Sequence, residues 1–362
     1  MVNLTLSSVE PLLASEDDSD VDDGLGSSIA SSSTSLSSSI LKYREENGRT
    51  YHAYREGSMS TSPDDSCAFA ASKVLTTHVC VRIRLAQRRG KMHKMFRCCP
   101  QPTDLQHHLC TLTLGDKLFI SPAGIDKPLG RVLDAGTGTG IWAMDFADEH
   151  PETHVTGVDL SPIQPSFVPP NVSFYIDDLE DAWAFTLKFD FIYARMLTAS
   201  ISDWPKFFQQ SFDNLNPGGW IEVLDIHLQL QSDDGTVPED CAAAKWGDLM
   251  LQAAEKMGRP LDSMTFYRKQ LLDAGFTSVT QRLFKWPTNP WPKDPRFKEL
   301  GMWTYENLGN GASGLSMALF TRALGWTPAE VEVFLVDVRK HMSNRSIHGY
   351  WPIYVVYAQK PE

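Results

Sequence analysis

The stretch "RVLDAGTGTGIWAMDFADEHPETHVTGVDLS", residues 131–161, decides the reading of this chain. An apolar run ends in an acid. Three glycines then alternate with threonine, a helical pattern follows, and an aspartate stands nineteen residues after the last glycine. Strand, glycine turn, helix and acid-tipped strand make the opening unit of an open α/β sheet, whose ligands bind at the carboxyl ends of the strands. The glycine at each second position permits a tight turn and close approach of a ligand. A dinucleotide fingerprint would read G-x-G-x-x-G against a pyrophosphate. This chain reads D-x-G-x-G-x-G, from Asp134 through Gly136, Gly138 and Gly140. A carboxylate beside a pyrophosphate repels it, whereas a carboxylate beside an ammonium is favourable. The turn, Thr137 included, therefore favours a cofactor with a cationic amino-acid end, such as S-adenosyl-L-methionine.

The alternation continues outward. Apolar runs at 130–136, 154–160, 172–177, 189–195 and 218–225 are separated by helical stretches, which predicts a parallel sheet with right-handed crossovers. Phe207, Phe208, Ser211, Phe212 and Leu215 share one helix face closed by "NPGG". Helices are expected at 239–258 and 265–276, then a strand at 277–286. Helices near 294–308, 313–324 and 327–342 form a cap inserted before a final strand at 351–360. The fold class is α/β, a Rossmann-like sheet with a helical cap insert, about 287–348, and a disordered N-terminal tail.

Acids end successive strands. Asp159 can accept both ribose hydroxyls, with Leu160 beside it; a turn or N-cap role is the alternative. Asp178 is placed to accept from an adenine amino group, with Leu179 against the ring, and Trp183 either walls the pocket or packs in the core. The fourth strand ends at Ala194, Arg195 and Met196, facing the sulfonium. Arg195 either orients a substrate carboxylate or pairs with a surface acid. Methyl transfer from a sulfonium needs positioning more than a base, and a base matters only for an acceptor that keeps its proton. Candidates are Glu222, Asp225, His227 and His52. Two have a bland alternative, a buried structural acid for Glu222 and a strand-edge histidine for His227.

The chain has 362 residues, a net charge of -12 and a pI near 5.3, which disfavours nucleic-acid binding driven by whole-molecule charge. Its six cysteines do not form a disulfide framework, so a reducing compartment is expected. No signal peptide and no apolar run of about 20 residues is present, so the expectation is a soluble protein without membrane contact, cytoplasmic or nuclear. Residues 1–40 carry an acid run, "EDDSDVDDG", and nine serines within thirteen positions, a composition unable to bury a core. Residues 41–65 hold Tyr43, Tyr51, His52 and Tyr54 among charges and read as an arm docking on the main domain. Residues 66–102 are basic, free of acids and hold four of the six cysteines. Their spacing does not suit a metal site. They read as an insertion foreign to the fold, or as a gene-model artefact.

The run from Leu133 to Asp225 resembles the class I S-adenosylmethionine-dependent methyltransferases. The strings "ENGRTYHAYREG", "DLQHHL", "GTGTGIWAMDFADEHP", "DLSPIQPSFVPPNV", "IDDLEDAW", "ARMLTASISDWPKFFQQSFDNLNPGGWIEVLD" and "NPW" together resemble the fungal LaeA-like methyltransferases, relatives of the trans-aconitate methyltransferases linked to secondary metabolism. The likeness covers 41–65 and 103–362 and skips 66–102. It implies that the glycine loop holds the methionine end, Asp159 the ribose and Asp178 the adenine, and that Arg49, Thr50 and Tyr51 close over the cofactor. It further implies a methyl acceptor that is a small molecule, met by an aromatic cap. The alternative it implies is a nuclear regulator of secondary-metabolite genes acting with protein partners. This chain's "AGTGTG" departs from the "GCGTG" common in that regulator.

Overall fold

The computed structural model describes residues 43–46, 49–52 and 102–362, with side chains from 105 onward. The acidic, serine-rich stretch 1–40 lies outside the described residues. So does the basic stretch 66–102, apart from Pro102. Of the arm, the backbone of two strands is described. β1 (Tyr43–Glu46) and β2 (Arg49–His52) pair antiparallel, Tyr43 opposite His52. The roles expected of the Tyr51 and His52 side chains lie outside the described residues.

The main body is one seven-stranded sheet in the order β5-β4-β3-β6-β7-β9-β8. Its strands are β3 (Arg131–Ala135), β4 (His154–Asp159), β5 (Val172–Ile176), β6 (Phe189–Arg195), β7 (Leu215–Ile226), β8 (Thr277–Pro287) and β9 (Tyr350–Gln359). β3 to β7 run parallel, while β9 is antiparallel to both β7 and β8. The chain leaves β3 toward β4 and β5, then returns to lay β6 on the other side of β3. That reversal opens a crevice at the carboxyl ends of the strands.

The continuous apolar runs in β3 and β6 follow from burial on both faces. On one face Leu133, Ala135, Ile192 and Ala194 meet α3 (Trp204–Asn214) and α5 (Tyr267–Asp273). Phe207, Phe208 and Ser211 of α3 point inward as the periodicity predicts. The helix stops at Asn214, and "NPGG" belongs to β7, which starts at Leu215 rather than at 218. On the other face Val132, Phe191 and Tyr193 meet α2 (Ile141–Glu149), where the Trp142 ring stacks on Tyr193 at 4.1 Å.

Besides α5, the helices beyond β7 are α4 (Ala242–Lys256), α6 (Pro295–Thr304), α7 (Asn310–Ala323) and α8 (Pro328–Ser343), with a π turn at Tyr305–Gly309. The last three lie between β8 and β9, where the cap was expected. They do not stand alone. α4 packs on α7 and α8, and the group shares a core with α1 (Pro102–Thr113) and the ends of β7 and β9. Two side chains weld α4 to its neighbours: Trp246 Nε1 donates to Ser316 Oγ at 2.7 Å, and the Ala242 amide donates to His341 Nδ1 at 2.8 Å. No helix among the described residues is long and apolar enough to cross a membrane.

Candidate active site

A crevice opens where β3, β4, β5 and β6 end. Its floor is the glycine turn. Gly136 holds φ +76°, and a Cβ there would stand 2.4 Å from Leu197 Cδ2. Gly140 holds φ +81°, and a Cβ there would stand 2.2 Å from the Phe174 ring. Both positions exclude larger residues through backbone conformation and space together.

Asp159 braces this turn from the next strand. Its Oδ2 accepts from the Gly138 amide at 2.9 Å and its Oδ1 from the Ser161 amide at 2.8 Å. Gln164 donates to the Gly138 carbonyl at 2.6 Å, closing the loop from the far side. Asp177 and Asp178 follow β5. Asp178 is buried, with Oδ1 accepting from the Glu180 amide at 2.8 Å, and the exposed Asp177 accepts from the Asp178 amide. Gly136, Gly138, Asp159, Leu160, Asp178 and Leu179 thus come together on the crevice lining, six of the residues singled out from sequence.

Five others stand behind it. Asp134 is buried beneath the turn and accepts from Thr137 Oγ1 at 2.5 Å. Burial pushes its carboxyl up to about 6 against the opposing Thr137 bond and the nearby Arg195 charge. Asp134 and Thr137 therefore hold the loop's shape from below rather than line the crevice, as does Gly140 at the start of α2. Ala194 and Arg195 also lie outside the lining. The alternation of β6 turns Ala194 into the core beside Leu133, and sends Arg195 to the opposite face. There the Arg195 guanidinium donates to His107 Nδ1 at 3.1 Å, and His107 Nε2 meets Asp145 Oδ2 at 2.9 Å. Among the described residues Arg195 is thus hydrogen-bonded to His107, and it does not line the crevice. With His107 it joins α1 to α2. Burial drives the His107 pKa down and the Cys110 thiol, also beside Arg195, up to about 11.

Of the base candidates, Glu222 and Asp225 are engaged by protein donors. Glu222 is fully buried, and its carboxylate accepts from the Ile120 amide at 3.0 Å and the Ser121 amide at 2.6 Å, anchoring the link from α1 to β3. Burial lifts it to about 7. Asp225 accepts from the Thr198 amide at 3.1 Å and from Tyr267 OH at 2.7 Å, and burial lifts it to about 7. His227 is buried near Tyr354, its pKa lowered by burial. None of the three lines the crevice. Trp183 packs edge-on against Phe185 and Phe207, so it belongs to the core.

Sequence reasoning stopped at Met196 and missed the next wall. Leu197, Ser200 and Ile201 line the crevice, opposite Ser161, Ile163 and Glu180. Met196 and Ala199 hold φ 54° and 61°, a conformation unusual for non-glycine residues and frequent at functional sites. Asp225 pins this strained turn through Thr198. The hydroxyl of Ser200 is buried without a partner among the described residues. The signal was in the sequence: "MLTASIS" follows directly on a strand that ends at the switch point.

Side-chain-free turn, acid-tipped strands and reversed strand order define the Rossmann-like class of methyltransferases. Comparison with known proteins agrees. Residues 105–281 match a family described as a methyltransferase domain. The chain is 39% identical over 333 residues to methyltransferase pytC of Aspergillus terreus, covering 91% of this chain and 92% of that protein. It is 39% identical over 259 residues to the probable methyltransferase tdiE of Emericella nidulans, covering 71% and 80%. It is 33% identical over 321 residues to the secondary metabolism regulator LAE1 of Cochliobolus heterostrophus, covering 88% and 94%. The chain belongs to this methyltransferase family.

Proposed function

We infer that the crevice holds the adenosine of S-adenosyl-L-methionine between Asp159 and Leu160 on one side and Asp178 and Leu179 on the other. The amino-acid end then lies over the Gly136–Gly140 turn. The residues fit the group. At Gly136 and Gly140 the turn lets Leu197 and the Phe174 ring pack directly on its backbone, the acids suit hydroxyl and amino donors, and the Ser200 hydroxyl has no partner among the described residues. When bound, the cofactor supplies a methyl group on a cationic sulfur. Asp159 and Asp178 orient, while Leu179, Leu197 and Ile201 keep water from the reacting face. With Glu222 and Asp225 already engaged by protein donors, the reading favours an acceptor that is ionised or readily loses its proton.

The acceptor proposed is a small molecule of fungal secondary metabolism, met on the side of α4 and α6–α8. The observation that carries the reading is the ring of acids around the glycine turn, joined by the likeness to pytC and tdiE across most of the chain. Isothermal titration of S-adenosylmethionine into wild type and Asp159→Ala tests it, and absence of binding by wild type overturns it. A second reading, a regulator acting with partner proteins in the nucleus, is favoured by the likeness to the regulator LAE1. Metabolite profiles of a knockout and its parent separate the two. One missing methylated compound supports the enzyme in the cytoplasm or elsewhere, and many altered pathways support the regulator. Neither reading calls for direct nucleic-acid contact, in keeping with the net charge of -12.

A further inference from the structure

One side chain outside the crevice touches both of its walls. After α4 ends, Gly258 at φ +70° turns the chain and the Arg259 amide bonds back to the Ala254 carbonyl at 3.0 Å. The guanidinium then reaches inward. Its Nη1 donates to the Ser200 carbonyl, on the wall that follows β6, and stands 2.9 Å from Glu180 Oε2, on the wall that follows β5. Glu180 completes the bridge. Its Oε1 accepts from the Ser202 amide at 2.8 Å and from the Ser202 hydroxyl, and Lys206 Nζ donates to its carbonyl at 2.6 Å. The two charged side chains are only 15% and 13% exposed, so this pair is screened less than a surface ion pair. Burial disfavours the Glu180 carboxylate, yet Arg259 and Ser202 outweigh it and hold its pKa below the usual value. Arg259 also fixes the peptide that carries the unpartnered Ser200 hydroxyl. At its other end α4 is bonded to α7 through Trp246 and to α8 through His341.

We propose that Arg259 is a positioning residue that joins the acceptor-side helices to both walls of the cofactor crevice, so that cofactor occupancy and order in α7 and α8 are coupled through it. The proposal rests on the crevice being the cofactor site. Hydrogen exchange of the full chain, with and without S-adenosylhomocysteine, tests it alongside calorimetric affinity. In wild type the ligand slows exchange in the glycine turn, in residues 196–202 and in α7–α8. Arg259→Met binds the ligand roughly tenfold more weakly, the order that a charge-assisted hydrogen bond is worth. It keeps the slowing at the glycine turn and loses it in α7–α8, and Arg259→Lys restores part of both. A residue of merely structural importance would lower stability without this selective loss. Should Arg259→Met fail to fold, Glu180→Gln reads the same coupling with Arg259 left in place. Wild-type affinity and intact α7–α8 slowing in these variants overturn the proposal. Absence of any binding by wild type overturns the cofactor reading instead.

Discussion

Replacing Gly136 by alanine tests the geometry of the crevice floor directly. Two effects add. Alanine at φ +76° costs about 1–2 kcal/mol in backbone conformation. The new Cβ also falls 2.4 Å from Leu197 Cδ2, with Cγ and Cδ1 at 3.2 Å, so Leu197 must leave its place. Overpacking of that kind costs roughly 1–3 kcal/mol. Gly136→Ala is therefore expected to lose about 3 kcal/mol of unfolding free energy. Because Leu197 lines the crevice, the variant also loses affinity for S-adenosylhomocysteine. Leu197→Ala alone costs about 2 kcal/mol, at the low end for leucine since one side faces the crevice. In the double variant the blocking atoms are gone, so only the backbone part of the Gly136 effect remains. The double loss should fall short of the sum by at least 1 kcal/mol, on the order of the overpacking cost. Urea unfolding of the four proteins measures it. Additivity within about 0.5 kcal/mol would show that Leu197 is not against the turn and would refute the reasoning.

Other outcomes follow from the same contacts. Asp159→Asn should weaken S-adenosylhomocysteine binding less than Asp159→Ala, because an amide oxygen can still accept from the Gly138 or Ser161 amide; equal losses in titration would contradict the brace described here. Glu222 is raised to about 7 in the fold from about 4.3 in an unfolded chain, so its contribution is fully present below about 4.3 and lost as pH rises through 7. The stability difference between wild type and Glu222→Gln should therefore shift against wild type between about pH 4 and pH 7, the span of that transition, and a flat difference in urea unfolding would exclude it. Thr327 and Glu330 cap α8 reciprocally, so Thr327→Ala should cost about 1 kcal/mol in unfolding while leaving ligand affinity unchanged.

The parallel strands were legible because burial on both faces leaves unbroken apolar runs, and β6 matches its expected limits. The acids at the ends of β4 and β5 were legible because strand ends at a switch point are where a ligand sits. Arg195 was not. The pattern of β6 fixes which face it takes, but only the docking of α1 brings His107 to it, with Asp145 of α2 on the far side of that ring, and α1 is far away in sequence. Glu222 carried two readings, a base candidate and a buried structural acid, and its burial and bonds fit the second. A charged residue inside a strand suggests chemistry, whereas here the two amides of the α1–β3 link satisfy it. Arg259 gave no local signal at all, since its partners Glu180 and Ser200 meet it only through the fold.

The position of β9 has a consequence for how the molecule is made. It is the last strand in the chain, yet it lies between β7 and β8 and hydrogen-bonds to both. The five parallel strands can assemble as they emerge from the ribosome. β8 cannot join the sheet until residues 350–359 arrive to fill the gap. Until then β7 offers a bare edge, a site for wrong pairing with a neighbouring chain. A truncation before Tyr350 would therefore remove one strand and strand a second.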